Sequence, residues 1–315
     1  MRNLRIVFMG TPDFAVHSLK TIVEAGYKVI GVITAPDKPA GRGRKLQESA
    51  VKKYATEQGL KVLQPTNLKS EAFLQELKTL EANLQVVVAF RMLPEAVWKM
   101  PQFGTFNLHA SLLPQYRGAA PINWAIINGE TETGVSTFFI DEKIDTGAII
   151  LQEKVQIASN DNAGNLHDKL METGAVLVLK TLKAIEEGPV ETISQKESGE
   201  LKTAHKLTRE NTRIDWTQPL EKIYNHIRGL SPFPTSWTQL HNNGEELMLK
   251  IFDCEPQFAA HKKEIGKIIS ENKEVKVSVK NGFLLLKEIQ LPGKRKMAIK
   301  DLLNGYNFST EAKVV

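Results

Sequence analysis

LRIVFMGTPDFAVHSLKTIVEAGYKVIGVIT, residues 4–34, decides how the first half of the chain is built. A nearly continuous apolar, β-branched run ends at Gly10, which reads as a strand buried on both faces. A stretch with helical periodicity follows, with Asp13 near its start and Gly26 just past its end. YKVIGVIT (27–34) then returns to strand character. Strand, helix and strand in that order predict a βαβ unit of a parallel sheet.

The pattern continues outward. LQVVVAF (84–90) and GTFNLH (104–109) are further strands, and SEAFLQELKTL (70–80) is a helix opened by Ser70. GVSTFFI (134–140) and AIILQEKVQI (148–157) add two strands, and a helix runs from Asn162 to Glu187 until Gly188-Pro189 stops it. The polar stretch 190–206, VETISQKESGELKTAHK, reads as a linker after a first domain of residues 1–189. Beyond it, RIDWTQPLEKIYNHIRGL (213–230) holds a short amphipathic helix, broken by SPFPTSWTQL. ELMLKIFDCEP, EIGKIIS, EVKVSVK and GFLLLKEIQL are short strands about ten residues apart, which predicts a small barrel over 207–315.

Composition narrows the class. At 42% apolar and 24% charged residues the 315-residue chain matches a soluble globular protein, with no run near the ~18 residues of a membrane span. The N-terminus lacks the long apolar core and cleavage site of a leader. A single cysteine, Cys254, excludes an intramolecular disulfide framework and a cysteine-rich zinc site, and points to the cytosol. The net charge of +5 is unevenly spread: residues 207–315 hold 17 Lys and Arg against 13 Asp and Glu. Within 260–300, 11 basic residues face 4 acidic ones. Such a run is either a solvated lysine-rich face or a surface for a polyanion.

Four stretches carry candidate chemistry. IVFMGTPDFAV has one glycine where the dinucleotide fingerprint needs three, and neither a P-loop nor HExxH is present. PDKPAGRGRK (36–45) places Lys38, Arg42, Arg44 and Lys45 on an exposed loop whose glycines and prolines forbid a helix. Such a loop suits phosphate contact or is simply solvated. In FGTFNLHASLLPQYRG (103–118), Asn107 and His109 share one face of a strand while Phe106 and Leu108 pack the other way. An amide and an imidazole at the carboxyl end of a parallel strand fit a ligand crevice, or else a core network that orders the loop. No second histidine lies at ligand spacing, so a metal is not expected. FFIDEKIDTGAII (138–150) offers Asp141 and Asp145 as a partner for His109, and spacing does not choose between them. Its DTG also occurs in aspartic proteases, whose β-lobes this α/β pattern contradicts.

With GTPDFA, PDKPAGRGRK, Asn-x-His followed by SLLPQYRGAAPI, IDTGAII and RIDW in order, nearly the whole chain resembles the folate-dependent formyltransferases. The resemblance implies a Rossmann-like, mostly parallel α/β domain followed by a smaller OB-like β-barrel. It implies transfer of a formyl group from 10-formyltetrahydrofolate, a co-substrate rather than a bound cofactor. The PAGRGRK loop and the barrel narrow it to the branch that formylates methionyl initiator tRNA for translation initiation. A small amine, a nucleotide sugar or glycinamide ribonucleotide, is the alternative acceptor, and a nucleic-acid-binding module on an inert scaffold is a third reading. In the family's pattern Asn107 and a protonated His109 hold the oxyanion, and Asp145 assists. Ser111, Leu112, Leu113 and Pro114 shape the folate site. Arg42 with Lys38, Arg44 and Lys45 meets the tRNA acceptor end, and Lys206 and the 262–300 lysines follow the tRNA backbone. A cytoplasmic monomer without metal is expected. One segment departs: AFRMLP (89–94) stands where the family commonly has AYGxILP, one residue shorter and with Arg91 in place of the glycine.

Overall fold

The computed structural model describes residues 1–40, 45–196 and 199–315. The opening stretch forms β1 (Arg5–Gly10), α1 (Asp13–Glu24) and β2 (Lys28–Ile33), with β1 and β2 paired in parallel. Ile6 to Met9 are fully buried, as a strand covered on both faces requires. The flanks of the basic segment are paired, where composition suggests loop. β3 (Lys38–Ala40) and β4 (Lys45–Gln47) pair antiparallel as a short hairpin, and Arg42 and Arg44 lie outside the described residues. Glycines and prolines forbid a helix but not a hairpin, so composition alone read this segment as loop.

α2 (Ala50–Glu57) is capped by Ser49, whose Oγ accepts the Lys52 N–H at 3.0 Å. β5 (Val62–Leu63), α3 (Glu71–Thr79), β6 (Leu84–Val88), α4 (Glu95–Trp98) and β7 (Thr105–His109) follow. After these come β8 (Arg117–Gly118), α5 (Pro121–Ile127), β9 (Glu132–Phe139), β10 (Ile149–Gln156), α6 (Ala163–Glu187) and β11 (Thr203–Ala204). Among the described residues the main sheet runs β10-β9-β7-β6-β1-β2-β5. Its members from β5 to β7 are parallel, and β9 and β10 close one edge as an antiparallel hairpin. The strand order reverses at β1, which places a crevice at the carboxyl ends of β1 and β6, beside β7.

By Cα proximity the chain divides into two compact units. One is 1–118, 132–156 and 167–203; the other is 119–131, 157–166 and 204–315. The second unit contains α7 (Leu220–Leu230), β12 (Ser236–Asn242), β13 (Glu245–Phe258), β14 (Ile268–Glu271) and β15 (Glu274–Val279). It ends with β16 (Gly282–Gln290), β17 (Met297–Ala298), α8 (Ile299–Leu302) and β18 (Lys313–Val314). Its sheet is antiparallel in the order β14-β15-β16-β13-β12-β18. β12 alternates buried and half-buried residues at period two, so one face is committed to the interior. That interior is filled by Leu249, Ile251, Val277, Leu284 and Ile289, with Ile223 and Ile227 of α7 packed among them.

The two ends of this sheet nearly meet. Ile268 N–H donates to Ala312 O and Val314 N–H donates to Gly266 O, each at 2.9 Å, which gives the barrel that the strand spacing predicts. Gly266 sits at φ +82°, and a Cβ there would lie 2.4 Å from Val314 O. Among the described residues, no helix is long and apolar enough to cross a membrane.

Gly266→Ala should therefore open this seam and cost ~1–3 kcal/mol of stability. Gly244→Ala, at φ +80° with nothing within 4 Å, should cost less. Denaturant unfolding of the two variants checks the difference; equal midpoints would show that the seam carries no stability.

Candidate active site

β7 lies between a parallel neighbour and an antiparallel one, with Asn107 opposite Val87 and Phe138 and His109 opposite Ser136. Phe106 and Leu108 are buried, anchoring the strand and turning Asn107 and His109 together toward the other face. The His109 ring is 6% exposed. Its Nε2 lies 2.8 Å from Tyr116 O, and because a carbonyl only accepts, that nitrogen carries a hydrogen. Nδ1 is 3.8 Å from Asp145 Oδ2, too far for a direct hydrogen bond. A single polar atom placed to one side can sit ~2.8 Å from both. Asn107 is half-buried, and among the described residues its carboxamide makes no hydrogen bond. A structural network thus accounts for one nitrogen of His109 and for nothing of the Asn107 amide.

Geometry distinguishes the two aspartates. Asp145 Oδ2 accepts the Gly118 N–H at 2.9 Å while facing His109. Asp141 is exposed and closes its own turn, accepting from Lys143 N–H at 3.1 Å and from Thr146 Oγ at 2.7 Å. The glycine of DTG is a close approach: a Cβ on Gly147 would lie 1.7 Å from Phe139 O.

The segment Ser111–Pro114 hangs on one buried hydroxyl. Ser136 Oγ donates to Ser111 O at 2.6 Å and accepts from Leu113 N–H at 3.1 Å and Gln152 Nε2 at 2.8 Å. Gln152 also donates to Leu113 O at 3.0 Å, and Ser111 Oγ donates to Gln115 O at 2.6 Å. Leu113 is buried with Phe138 and Ile149, whereas Leu112 and Pro114 are half-buried. Ser136 and Gln152 were not among the residues predicted for the site. The available signal was a serine within a strand buried along most of its length, a polar group that must find partners.

One more residue joins the site from outside the motifs. Gln195, in the stretch expected to be a linker, donates to Asp145 O at 3.0 Å and Gly147 O at 2.7 Å. Its Oε1 accepts from Arg117 Nε at 3.0 Å and Nη2 at 2.8 Å. Nothing in the composition of 190–206 marks it. In the departing segment, Arg91 donates to Thr66 O at 3.1 Å and to Pro65 O, just past β5.

The predicted tRNA residues are placed as follows. Lys38 is exposed on β3, Lys45 opens β4, and Lys206 is exposed in the second unit. At the root of the hairpin Asp37 accepts from Lys52 at 2.5 Å and Gln64 at 2.8 Å, and the Lys52 bond holds its carboxyl below the usual range. Of the 260–300 cations, Lys267, Lys276, Lys287 and Lys296 pair with Glu311, Glu274, Glu255 and Glu288. Lys262, Lys263, Lys273, Lys280 and Lys300 are exposed, with no acidic partner within 4.0 Å among the described residues.

Known proteins match this arrangement over the whole chain. Residues 4–195 match the formyl transferase profile and residues 206–307 match the formyl transferase C-terminal domain. The chain is 60% identical over 314 residues to the methionyl-tRNA formyltransferase of Flavobacterium johnsoniae, covering 100% of both. It is 54% identical over 317 residues to that of Bacteroides thetaiotaomicron, covering 99% of this chain and 98% of the relative. The crystal structure of the N-formyltransferase from Helicobacter canadensis, in complex with folinic acid and dTDP-3-aminofucose, shares the fold. It aligns at TM-score 0.66 and 23% identity, over 90% of this chain and 98% of that one.

Ser136→Ala should cost ~1–3 kcal/mol, because it strands the buried Leu113 N–H and frees Ser111 O. Unfolding in denaturant reads this loss. A variant as stable as the parent would mean that the segment is held by other contacts.

Proposed function

The chain belongs to the formyl transferase family, and from that membership we propose that it formylates the α-amino group of methionyl initiator tRNA, with 10-formyltetrahydrofolate as co-substrate, in cytoplasmic translation initiation. Two relatives with that name, matched over nearly their full length, support the acceptor. The folinic acid held by the Helicobacter canadensis enzyme supports the donor class. The observation that carries the chemistry is the Asn107 amide, without a hydrogen bond among the described residues, on the same strand face as His109, with Asp145 across a 3.8 Å gap. Leu112 and Pro114, the half-buried apolar members of the Ser111–Pro114 segment, suit one wall for a flat folate ring.

Asn107 and His109 donate to the oxyanion that forms as the neutral amine adds to the formyl carbon. Because Nε2–H is given to Tyr116 O, the hydrogen that His109 offers is the one on Nδ1, present when the ring is protonated. Asp145 keeps that charge paired and accepts the proton that the amine loses on forming its new N–C bond. The proton then passes to the folate nitrogen whose bond to carbon breaks, so the exchange balances. Residues 1–189 carry this chemistry. Residues 207–315, Lys206 and the basic segment with Lys38, Arg42, Arg44 and Lys45 engage the tRNA.

Incubation with 10-formyltetrahydrofolate and either methionyl initiator tRNA, an amino-sugar nucleotide or glycinamide ribonucleotide tests the assignment. Formyl-methionyl-tRNA is the expected product, and formylation of a small amine alone would overturn it. Asn107→Ala and His109→Ala should each lower kcat ~10²–10³-fold while tRNA binding persists. Asp145→Asn should impair turnover far more than Asp141→Asn. Steady-state kinetics compare the pair, and equal effects would remove Asp145 from the proton path.

A further inference from the structure

The position of Asp145 does not follow from the sheet. β9 runs antiparallel to β7, with Ser136 opposite His109 and Phe139 opposite Phe106. Its register therefore leaves the root of the 140–148 loop at the Phe106 end of β7, three residues or ~10 Å short of His109. Yet Asp145 reaches within 3.8 Å of the His109 ring, at φ +55°, a backbone region that costs a non-glycine residue ~1 kcal/mol or more. Something outside the strands must hold the loop folded back.

Gln195 is built to do this. Ile193 and Ile149 exchange two backbone hydrogen bonds, each 2.8 Å, which fixes the chain beside the start of β10. Two residues on, both hydrogens of the Gln195 carboxamide go to carbonyls of the loop, Asp145 O and Gly147 O. Both acceptor sites of its oxygen go to Arg117. Arg117 precedes Gly118, whose N–H holds Asp145 Oδ2. One side chain thus ties the backbone of the aspartate to the backbone that orients its carboxylate. Only a carboxamide meets both demands. A carboxylate satisfies Arg117 but confronts two carbonyls, and an apolar chain satisfies neither.

We propose that Gln195 is a positioning residue of the formyl-transfer site, setting the Asp145 carboxylate where one substrate atom engages it together with His109. The proposal rests on the formyl-transfer reading above.

The test uses the full-length chain with methionyl initiator tRNA and 10-formyltetrahydrofolate, comparing Gln195→Glu and Gln195→Met alone and in an Asp145→Asn background. Each single variant should lose roughly 10–10²-fold in kcat, with KM for both substrates within about twofold and a folded circular dichroism spectrum. In the Asp145→Asn background the same change should cost less than about threefold, because Gln195 acts through a carboxylate no longer there. Loss of the full factor in both backgrounds would make Gln195 merely structural and overturn the proposal, as would an unchanged kcat in a folded single variant. If Gln195→Glu does not fold, Gln195→Met carries the same cycle. A parent chain that formylates no methionyl initiator tRNA would overturn the formyl-transfer reading itself, whereas an Asp145→Asn enzyme as active as its parent would remove Asp145 from the proton path and overturn the proposal alone. An impaired Asp145→Asn beside fully active Gln195 variants would overturn the proposal alone.

Discussion

The structure turns on β7 having unlike neighbours. On one side the parallel ladder with β6 carries it to the carboxyl edge of the sheet; on the other, β9 runs back against it. A parallel neighbour needs a long crossover, whereas an antiparallel one can be followed by a short hairpin. The switch at β7 therefore brings the β9–β10 hairpin next to the strand end where Asn107 and His109 emerge. Most of the site follows β7 in the chain or hangs from that hairpin, with Ser136 and Gln152 on its strands and Asp145 and Gly147 in its loop; Gln195 reaches it from beyond α6.

This explains which parts of the site were legible. Asn107 and His109 are two apart on a strand, and period two is local information. The βαβ units were legible for the same reason, since burial on both faces leaves continuous apolar runs such as LQVVV. Spacing did not separate Asp145 from Asp141, because both lie in one loop and differ only in which way it folds; only the family resemblance favoured Asp145. Ser136 and Gln195 act through contacts 25 and 50 residues away in sequence. Their surroundings offered a strand interior and a polar stretch, neither of which states a partner. The basic segment was similar: its prolines and glycines excluded a helix, but hairpin pairing is decided across the turn.

Of the two nitrogens of His109, a structural bond engages one and leaves the other for the proposed chemistry. Nε2 is committed to Tyr116 O, which fixes the ring plane and the location of its hydrogen. That commitment leaves Nδ1 as the nitrogen facing Asp145. A ring held at one nitrogen loses little further freedom when the other engages a substrate, which is the sense in which the site is preorganised. The C-terminal cations divide in the same way. Four lysines are spent on glutamates of the barrel, where exposed pairs contribute little, and the unpaired ones keep their charge available to a polyanion.

Some of the chain's backbone strain sits at the same place. Tyr116 (φ +59°) and Asp145 (φ +55°) are both non-glycine residues in the left-handed region, and they face the two nitrogens of the same ring. Each conformation costs of order 1 kcal/mol, so the fold holds roughly 2 kcal/mol of unfavourable backbone around His109. Glycine at either position would relieve the backbone but leave the loops freer to move. What offsets the strain is visible: Tyr116 is buried at 4% exposure, and Asp145 is bonded through its carboxylate to Gly118 and through its carbonyl to Gln195. Strain that is over-determined from several directions keeps its geometry when substrates enter, because relaxing it means breaking all of those bonds at once.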